Sequence, residues 1–297
     1  MSIGFLMVRA AMRLNLLDVP GHRSSHKKPT PTMGGLAIVI AFFLGILIAR
    51  LAPAQWEMPQ WFGWFVAGAA LVALVGLIDD LKGLPILLRL FLYLVAAGFM
   101  IAGGIHLRAI DISPLGRINL GVFGIPITVF WVIAIVSFYN FMDGIDGLAA
   151  GVGVIVAGFL AYIAWSLGNS DILVLGLLLG GSCVGFLWHN FPPAKIFMGD
   201  VGSTFIGYVL AVLALIGNQS GGSGYIPLFV SVLLLGAFLF DTIVTLGRRM
   251  MKREKWYLSH REHYYQKMTN LGLSHRQVSL GEYGVTFLLG FSALLYL

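Results

Sequence analysis

The sequence predicts an all-α fold, a polytopic transmembrane helix bundle of about ten helices in a single domain over residues 1–297. Hydrophobic residues make up 58% of the chain and charged residues only 11%, whereas charged residues make up about 25% of ordinary soluble domains. The mean hydropathy is +0.89. Uncharged runs that approach the roughly 30 Å of a bilayer's hydrocarbon core recur along the chain. These observations exclude an ordinary soluble enzyme.

Uncharged runs account for most of the predicted helices: 33–49, 61–78, 118–142, 147–170, 172–188, 201–217 and 219–240. A further span, 84–105, is interrupted only by Arg89, and the C-terminal run 283–297 is long enough if its helix begins near Leu280. A first helix would be marginal because Arg9 and Arg13 interrupt the N-terminal run. The prediction is therefore ten helices, or nine if the first does not cross.

The distribution of basic residues predicts which loops face the cytoplasm, because cytoplasmic loops carry an excess of Lys and Arg. With alternating spans, the loops on one side hold only Arg50, Arg108 and Arg117. The loops on the other side hold Arg23, Lys27, Lys28, Lys82, Arg89, Lys195 and the dense block 248–276. That second side is therefore cytoplasmic. Membrane topology accounts for the net charge of +6, and nucleic acid is not expected as a partner.

Five aspartates lie beside hydrophobic spans in three clusters, namely Asp79 with Asp80, Asp143 with Asp146, and Asp200. The predicted topology brings all three clusters to the cytoplasmic ends of the helices. Carboxylates at a membrane edge are costly and indicate function by default. Their grouping predicts a cytoplasmic-face cleft for a divalent cation and a phosphorylated substrate.

The adjacent acids Asp79 and Asp80 end an apolar helix, where negative charge opposes the helix dipole. Two like charges side by side need a cation, or the pKa of one of them rises. A solvated helix end is the plain alternative. Metal binding or catalysis is the interpretation that we favour.

The segment 140–148 (NFMDGIDGL) alternates acids with glycines. Glycine permits close backbone approach, which suits a loop that wraps a ligand around Asn140, Asp143 and Asp146. A calcium loop needs more oxygen ligands and a terminal acid, which are missing here. A polar turn is the alternative.

The segment 190–203 (NFPPAKIFMGDVGS) predicts a helix end at the Pro-Pro pair and a new helix at Asp200. Free N–H groups at a helix N-terminus bind phosphate. The ring of Phe197 is suited either to stacking on a base or to anchoring at the membrane interface. Both interpretations stay open.

The segment 260–263 (HREH) follows the basic run 248–253. Its histidines and arginine suit a pyrophosphate cradle, and a positive-inside anchor explains part of the basic run. The spacing differs from the two-histidine motif of zinc proteases. The first cytoplasmic loop, with Lys27 and Lys28, would likewise attract an anionic headgroup.

Two further features have open interpretations. Asp241, predicted near the end of the span 219–240, is either a structural partner of Arg248 or Arg249 or a residue of the cleft. Residues 111–120 predict an outside loop or a short hairpin with no assigned chemistry.

Five motifs follow one another along the chain: 29–35 (PTPTMGG), the Asp79–Asp80 pair, 140–148, 190–202 and 260–263. Together they resemble the polyprenyl-phosphate N-acetylhexosamine-1-phosphate transferase family, also called glycosyltransferase family 4. The resemblance runs from about residue 15 to residue 280, nearly the whole chain. The family fold is a ten-helix membrane bundle with a cytoplasmic cleft, which agrees with the independent helix count.

The resemblance implies transfer of a sugar-1-phosphate from a UDP-N-acetyl sugar to undecaprenyl phosphate, with release of UMP. It implies Mg²⁺ as the cofactor, with Mn²⁺ as a second candidate. It also implies a multi-pass protein of the bacterial inner (cytoplasmic) membrane that initiates a lipid-linked surface glycan of the O-antigen, capsule or teichoic-acid type. The partners are the two substrates and the lipid bilayer, and a homodimer stays open.

Matched residue by residue, Asp200 resembles the magnesium ligand of the family, and Asp79 with Asp80 resembles its catalytic pair, without separate roles. The remaining matches are to nucleotide- and substrate-binding positions: Asn140, Asp143, Asp146, Asn190, Phe197 under the uracil, and the loop residues His260, Arg261 and His263 over the diphosphate. Lys27 or Lys28 lies near a lipid phosphate by the same resemblance. Direct attack by the lipid phosphate on the sugar-linked phosphorus is favoured over a covalent aspartyl-phosphate route, which stays open.

One departure from the family pattern bears on the cargo. The peptidoglycan translocase branch carries three consecutive histidines where this chain reads HREH, so MurNAc-pentapeptide is not expected. The loop resembles instead that of O-antigen or capsule initiators, which use N-acetylglucosamine, N-acetylfucosamine or N-acetylquinovosamine.

Two other classes of membrane protein are weaker alternatives. A secondary transporter would place its charges near the midplane of broken helices, whereas these lie at one edge. An Asp- and Mg²⁺-dependent membrane prenyltransferase would usually present two Asp-rich motifs, and the segment 79–83 lacks the later acid.

Overall fold

The computed structural model describes residues 17–18, 30–51, 56–112, 116–219, 224–255 and 261–297, and it confirms the all-α, multi-pass membrane fold. The helices in chain order are α1 (Gly35–Leu51), α2 (Phe62–Lys82), α3 (Ile86–Ala102), α4 (Gly124–Phe141), α5 (Leu148–Leu167), α6 (Ser170–Asn190), α7 (Asp200–Gln219), α8 (Leu228–Leu234), α9 (Gly236–Met251), α10 (Tyr264–Asn270) and α11 (His275–Tyr296). Each predicted span from 33–49 onward therefore has a helical counterpart, and most boundaries shift by a few residues.

Within the described ranges, six helices are long and apolar enough to cross a membrane, namely α2, α4 with its preceding turn, α5, α6, α7 and α11. The bent pair of α8 and α9 brings the number to seven. The helices α1 and α3 have 17 residues each, which is the lower end of the transmembrane range. These nine candidates match the predicted spans after the first, and the expected N-terminal helix lies outside the described residues.

The helix α7 forms the centre of the bundle, with every residue from Val201 to Asn218 buried. It packs most extensively against α4 and α2, and also against α1 and α6. A helix that is apolar on all sides belongs inside a bundle. The position of Asp200, the first residue of α7, is therefore set by several neighbouring helices.

Two glycine contacts bring helices together beside Asp200. A Cβ on Gly202 would lie 2.6 Å from the Cα of Gly35, and a Cβ on Gly76 would lie 2.6 Å from the backbone oxygen of Asp200. Only a residue without a side chain permits backbones to approach this closely. The start of α7 is thereby packed against α1 and α2.

The predicted span 219–240 differs from the structure. The helix α7 continues to Gln219, and the following chain forms α8 and α9, which meet at 78°. The second arm extends to Met251 and buries Asp241, Thr245 and Arg249. Buried polar side chains need partners within the protein, and these three have them there. Asp241 thus lies within α9 and not at the end of a span.

Two short antiparallel strand pairs accompany the helices. The strand β1 (Leu17–Asp18) pairs with β2 (Thr30–Pro31), with Leu17 opposite Pro31. The strand β3 (Ala109–Ile112) pairs with β4 (Gly116–Asn119), with Ala109 opposite Asn119. The second pair is the hairpin predicted as one of two alternatives for residues 111–120.

Candidate active site

The acidic clusters come together around the start of α7. Asp79 and Asp80 lie in the last turn of α2, and Asp200 begins α7. The backbone N–H groups of Asp200 and Val201 donate to the two carboxylate oxygens of Asp80, at 2.8 and 3.1 Å. The Asp80 side chain therefore caps α7 and joins two of the predicted clusters.

This cap corrects the prediction that free N–H groups at the start of α7 receive phosphate. The next two N–H groups, those of Gly202 and Ser203, donate to the Gly199 oxygen, both at 3.2 Å. A carboxylate supplied by another helix satisfies the donors that the sequence pattern left open. The dipole of α7 thus stabilises the negative charge of the Asp80 carboxylate.

Arg89 bridges two carboxylates at the start of α3. Its guanidinium Nη1 forms an ion pair with Asp79 and lies 3.3 Å from Oδ2 of Asp200. The N–H of Leu84 also donates to Asp79, at 2.6 Å. A guanidinium between Asp79 and Asp200 offsets their like-charge repulsion, whereas the sequence predicted such repulsion for the neighbouring Asp79 and Asp80. Sequence reasoning used Arg89 only for topology, although a lone arginine in an apolar span was the signal for it.

Asn140 orients the other oxygen of Asp200. Its side-chain amide nitrogen donates to Oδ1 of Asp200 and to the hydroxyl of Ser203, both at 2.9 Å. Asn140 lies near the end of α4, so the amide ties the end of one helix to the beginning of another. The structure brings this predicted residue into contact with the predicted magnesium ligand.

The donor set is suited to a hard divalent cation. Among the described residues, no group of three or more His, Cys, Asp or Glu side chains could hold a metal ion. Mg²⁺ usually binds through one or two carboxylates plus substrate phosphates and water. Asp79 and Asp200 lie within hydrogen-bonding reach of each other, and the guanidinium of Arg89 contacts both carboxylates. Two such carboxylates fit a metal that binds together with a phosphorylated substrate.

Asp143 extends the acidic cluster from the loop between α4 and α5. Burial raises the pKa of its carboxyl to about 7, and the negative charges of Asp80 and Asp146 add to the shift. A carboxyl with such a pKa exchanges its proton near neutral pH. The prediction that the aspartate clusters lie on one side of the molecule is confirmed.

Asp146 connects three segments. Its Oδ2 accepts from the N–H of Ala194 at 3.0 Å, and its Oδ1 lies 3.2 Å from Nδ1 of His275. The hydroxyl of Ser279 donates to its backbone oxygen at 2.8 Å. No motif in the sequence singles out His275, which is far from Asp146 in the chain. The contact holds the start of α11 against the loop 142–147.

Asn190 joins the loops 142–147 and 191–198 by hydrogen bonds. Its side chain is only 4% exposed, accepts from the Gly147 N–H at 2.9 Å and donates to the Ile196 oxygen at 2.8 Å. The helix α6 ends here, before the cis Pro192–Pro193 bond. In this arrangement Asn190 shapes the loops around the site.

Phe197 lies on a short extended segment. Its N–H donates to the Pro31 oxygen, and its own oxygen accepts from Gly34, both at 2.8 Å. The ring is partly exposed. This position leaves both sequence interpretations open, stacking on a base and interfacial anchoring.

The described residues of the HREH segment differ in how exposed they are. Arg261 is partly exposed, whereas His263 is 3% exposed and its Nδ1 lies 3.0 Å from Oδ1 of Asp241. Its ring stacks on Tyr265 with a centroid distance of 5.8 Å. Because the ring is buried against Asp241, His263 supports the loop instead of presenting a surface to a diphosphate. His260 and the lysines Lys27 and Lys28 lie outside the described residues.

The surroundings of Asp241 bear on its predicted pairing with Arg248 or Arg249. Its carboxylate contacts His263 and the backbone of the following residues, whereas Arg249 pairs with Glu254 and Glu262. Arg248 contacts the hydroxyl of Tyr264 at 2.8 Å. Of the two interpretations that the sequence left open, the structure does not bear out a pairing of Asp241 with one of these arginines, because the carboxylate contacts His263 instead.

The chain is similar in sequence to known proteins over most of its length. The family model described as glycosyl transferase family 4 matches residues 61–218. A probable undecaprenyl-phosphate N-acetylglucosaminyl 1-phosphate transferase of Bacillus subtilis strain 168 is 33% identical over 290 residues, which cover 97% of this chain and 79% of the relative. A decaprenyl-phosphate N-acetylglucosaminephosphotransferase of Mycobacterium tuberculosis H37Rv is 34% identical over 301 residues, 91% of this chain and 73% of the relative.

A third relative comes from another branch. A phospho-N-acetylmuramoyl-pentapeptide-transferase of Clostridium botulinum strain Eklund 17B is 32% identical over 255 residues, which cover 78% of this chain and 74% of the relative. The similarity thus extends to proteins named for different sugar cargoes, and the aligned share of this chain is greater for the two relatives named for N-acetylglucosamine.

Proposed function

The chain belongs to glycosyl transferase family 4, and from that premise we propose that it transfers N-acetylhexosamine-1-phosphate from a UDP-N-acetyl sugar to undecaprenyl phosphate. The observation that carries the proposal is the convergence of Asp79, Asp80 and Asp200 with the guanidinium of Arg89, with Asp143 close enough to interact electrostatically with Asp80. The names of the Bacillus and Mycobacterium relatives support N-acetylglucosamine as the first sugar to test.

In the proposed reaction, an oxygen of the lipid phosphate attacks the sugar-linked phosphorus of the nucleotide sugar. A new P–O bond forms, the bond from that phosphorus to the bridging oxygen breaks, and UMP leaves with that oxygen. Phosphoryl transfer depends mainly on positioning and on neutralisation of the phosphate charge. The clustered acids and arginine are suited to both tasks.

Separate roles for the acidic pair follow from their contacts. Both oxygens of Asp80 cap α7, so its role is to hold Asp200 in place. Asp79 contacts Arg89 and Leu84 at the cluster. We assign to Asp79 the orientation of the lipid phosphate or the acceptance of its proton.

The cofactor in this proposal is Mg²⁺, held by Asp200 and Asp79. When bound, the ion would neutralise charge on the diphosphate oxygens. Asn140 orients Asp200 for this task through its 2.9 Å hydrogen bond. Arg89 adds positive charge from the protein's own side chains, next to both carboxylates.

The nucleotide is proposed to bind between the loops 142–147 and 191–198. Asp146 and Phe197 would contact the uridine, with Asn190 fixing the backbone between them. Arg261 would approach the diphosphate from the HREH segment. The products would be UMP and a lipid-linked diphosphosugar, which starts a surface glycan in the cytoplasmic membrane.

The test uses purified protein in detergent with undecaprenyl phosphate, Mg²⁺ and a panel of UDP-N-acetyl sugars, and measures UMP release. We expect lipid- and metal-dependent UMP from one sugar, with loss of release in Asp200→Asn. Release of UMP without lipid, or no release together with no binding of any UDP-sugar, would overturn the proposal. Consumption of a prenyl diphosphate would indicate a prenyltransferase instead.

A further inference from the structure

The arm α9 carries two buried charged side chains outside the acidic centre. Asp241 is 3% exposed and Arg249 is 8% exposed, with the 1% exposed Thr245 between them. Residues spaced by four positions lie on one face of a helix. Buried charges are costly unless they are paired, so this face of α9 requires partners. Both charged residues find them in the segment that contains Arg261.

Asp241 fixes the residues that follow Arg261. Its Oδ1 accepts from the N–H of Tyr264 at 3.0 Å and from the Thr245 hydroxyl at 3.0 Å, and it lies 3.0 Å from Nδ1 of His263. Its Oδ2 accepts from the N–H of Tyr265 at 3.2 Å. One carboxylate thereby satisfies backbone donors at the start of α10 and holds the histidine ring.

Arg249 holds Glu262, which directly follows Arg261, and also Glu254, which lies earlier in the chain. Its Nη1 lies 2.9 Å from Oε2 of Glu254 and forms an ion pair with Glu262. Its Nη2 also donates to the Lys255 oxygen at 3.4 Å. One guanidinium therefore joins both ends of the segment 254–262, and its two partners come from opposite sides of that segment.

The anchored segment also contacts the candidate active site. The hydroxyl of Tyr265 donates to the Phe141 oxygen at 2.9 Å. A Cβ on Gly144 would lie 2.1 Å from that hydroxyl oxygen, so Tyr265 packs directly on the loop that holds Asp143. The face of α9 thus holds residues 262–265, and the loop 142–147 contacts them through Tyr265.

We propose that Asp241 and Arg249 are positioning residues that hold Arg261 over the phosphates of the nucleotide sugar. This inference rests on the proposed function, in which Arg261 contacts the diphosphate. Arg261 directly precedes Glu262 and His263, which are held by Arg249 and Asp241 respectively. The bend between α8 and α9 directs the anchoring face of α9 toward this segment.

The test is a double-mutant cycle in the full-length protein with Arg249→Met, Arg261→Ala and the combination, measured as kcat/KM for the UDP-sugar. Interacting residues have non-additive effects, whereas independent ones add in free energy. We expect Arg249→Met to lower kcat/KM about tenfold and the double variant to match Arg261→Ala within about twofold. Lys252→Met, which removes an exposed charge at the end of α9, is the matched control and keeps wild-type activity.

Multiplicative losses in the double variant would overturn the positioning role, since they would show that Arg249 acts independently of Arg261. Glu262→Gln supports the same cycle if Arg249→Met does not fold, because Glu262 is partly exposed. Hydrogen exchange gives a readout independent of turnover. Peptides covering 261–270 exchange faster in Arg249→Met, whereas those covering the hairpin β3–β4 do not change. Equal exchange in both proteins would also overturn the inference.

The two proposals fail in different ways. A wild-type protein that releases no UMP and binds no UDP-sugar would overturn the proposed function and the diphosphate role of Arg261 together. The exchange measurement would then still decide whether Arg249 holds the segment. UMP release with an additive cycle would leave the transferase intact and remove only the positioning role.

Discussion

Arg89 contributes the one basic side chain seen between the carboxylates of Asp79 and Asp200 in the described part of the chain. Removing one partner from an ion pair leaves the remaining charges uncompensated. Because Arg89 is 26% exposed, water would screen part of this cost. Its contribution is therefore clearer in catalysis than in stability.

We expect Arg89→Leu to lower kcat/KM for UMP release by about 100-fold, equivalent to about 2.7 kcal/mol of transition-state stabilisation. Arg89→Lys keeps the charge but loses the planar fork and should recover part of the loss. Arg108→Leu, an exposed position beside β3, is the matched control. Wild-type kinetics in Arg89→Leu would remove this arginine from the site.

Asp143 makes stability depend on pH. Its folded pKa of about 7 lies above the value of about 3.9 in an unfolded chain, so the folded protein binds the proton more tightly. The stability linked to this proton is fully present below about pH 4 and is lost as the pH rises through about 7.

Asp143→Asn should therefore flatten the fall in thermal midpoint between pH 5 and pH 8. At pH 8 we expect the variant to unfold at least about 2–4 °C above wild type, because about 1 kcal/mol produces that shift in a domain of about 150–250 residues and each unit of pKa change is worth about 1.4 kcal/mol. The measurement is thermal unfolding in detergent with EDTA and no nucleotide. Glu57→Gln, an exposed carboxyl between α1 and α2, should follow the wild-type pH profile. An unchanged profile in Asp143→Asn would contradict the linkage.

At the scale of elements, the position of α7 depends on glycine contacts. A Cβ on Gly202 would lie 2.4 Å from Cγ of Met198 and 2.6 Å from the Cα of Gly35. Overpacking of this kind costs about 1–3 kcal/mol. The strain would fall on the turn that carries Asp200, so catalysis should suffer along with stability.

We expect Gly202→Ala to lower the thermal midpoint and to reduce UMP release more than tenfold. Gly202 has no side chain that could take part in catalysis, so the loss would come from packing. Gly98→Ala is the matched control, because a Cβ there meets nothing within 4 Å and Gly98 lies inside α3. That substitution should stabilise the protein by about 0.4–1 kcal/mol. Equal effects of the two substitutions would show that close packing of α1 on α7 is unimportant.

The same element scale explains what could be predicted from the sequence. The spans were recognisable because an uncharged run of about 20 residues has few alternatives to a membrane helix. The break at Leu235 was not recognisable, because the segment 228–240 is uncharged and mostly apolar. Hydrophobic periodicity does not indicate where a helix bends. The cap of α7 by Asp80 was also missed, since it joins residues 120 positions apart.

For the whole molecule, the arrangement of helices brings distant motifs to one end of the bundle. Asp80 and Asp143 interact electrostatically, and Asp146 contacts His275 across 129 positions. Alternation of the spans was sufficient to predict on which side these residues lie. Which oxygen meets which donor depends on helix rotation and loop shape, and a single sequence carries little information about either.

The orientation of the whole molecule is a final prediction. The loop basicity places the acidic end in the cytoplasm, where a nucleotide sugar is available to a membrane enzyme. Starting from Cys183→Ala, which removes the one cysteine of the chain, single cysteines would be introduced as Lys195→Cys and Glu57→Cys. Both positions are exposed, and they lie at opposite ends of the bundle.

A membrane-impermeant maleimide applied to intact spheroplasts should label Glu57→Cys and leave Lys195→Cys unlabelled until the membrane is opened. Activity of each variant in detergent provides the control for folding. The reverse labelling pattern would invert the bundle and place the start of α7 outside the cell. In that orientation Asp79, Asp200 and Arg89 would have no access to cytoplasmic UDP-sugar, so the same experiment tests topology and proposed function together.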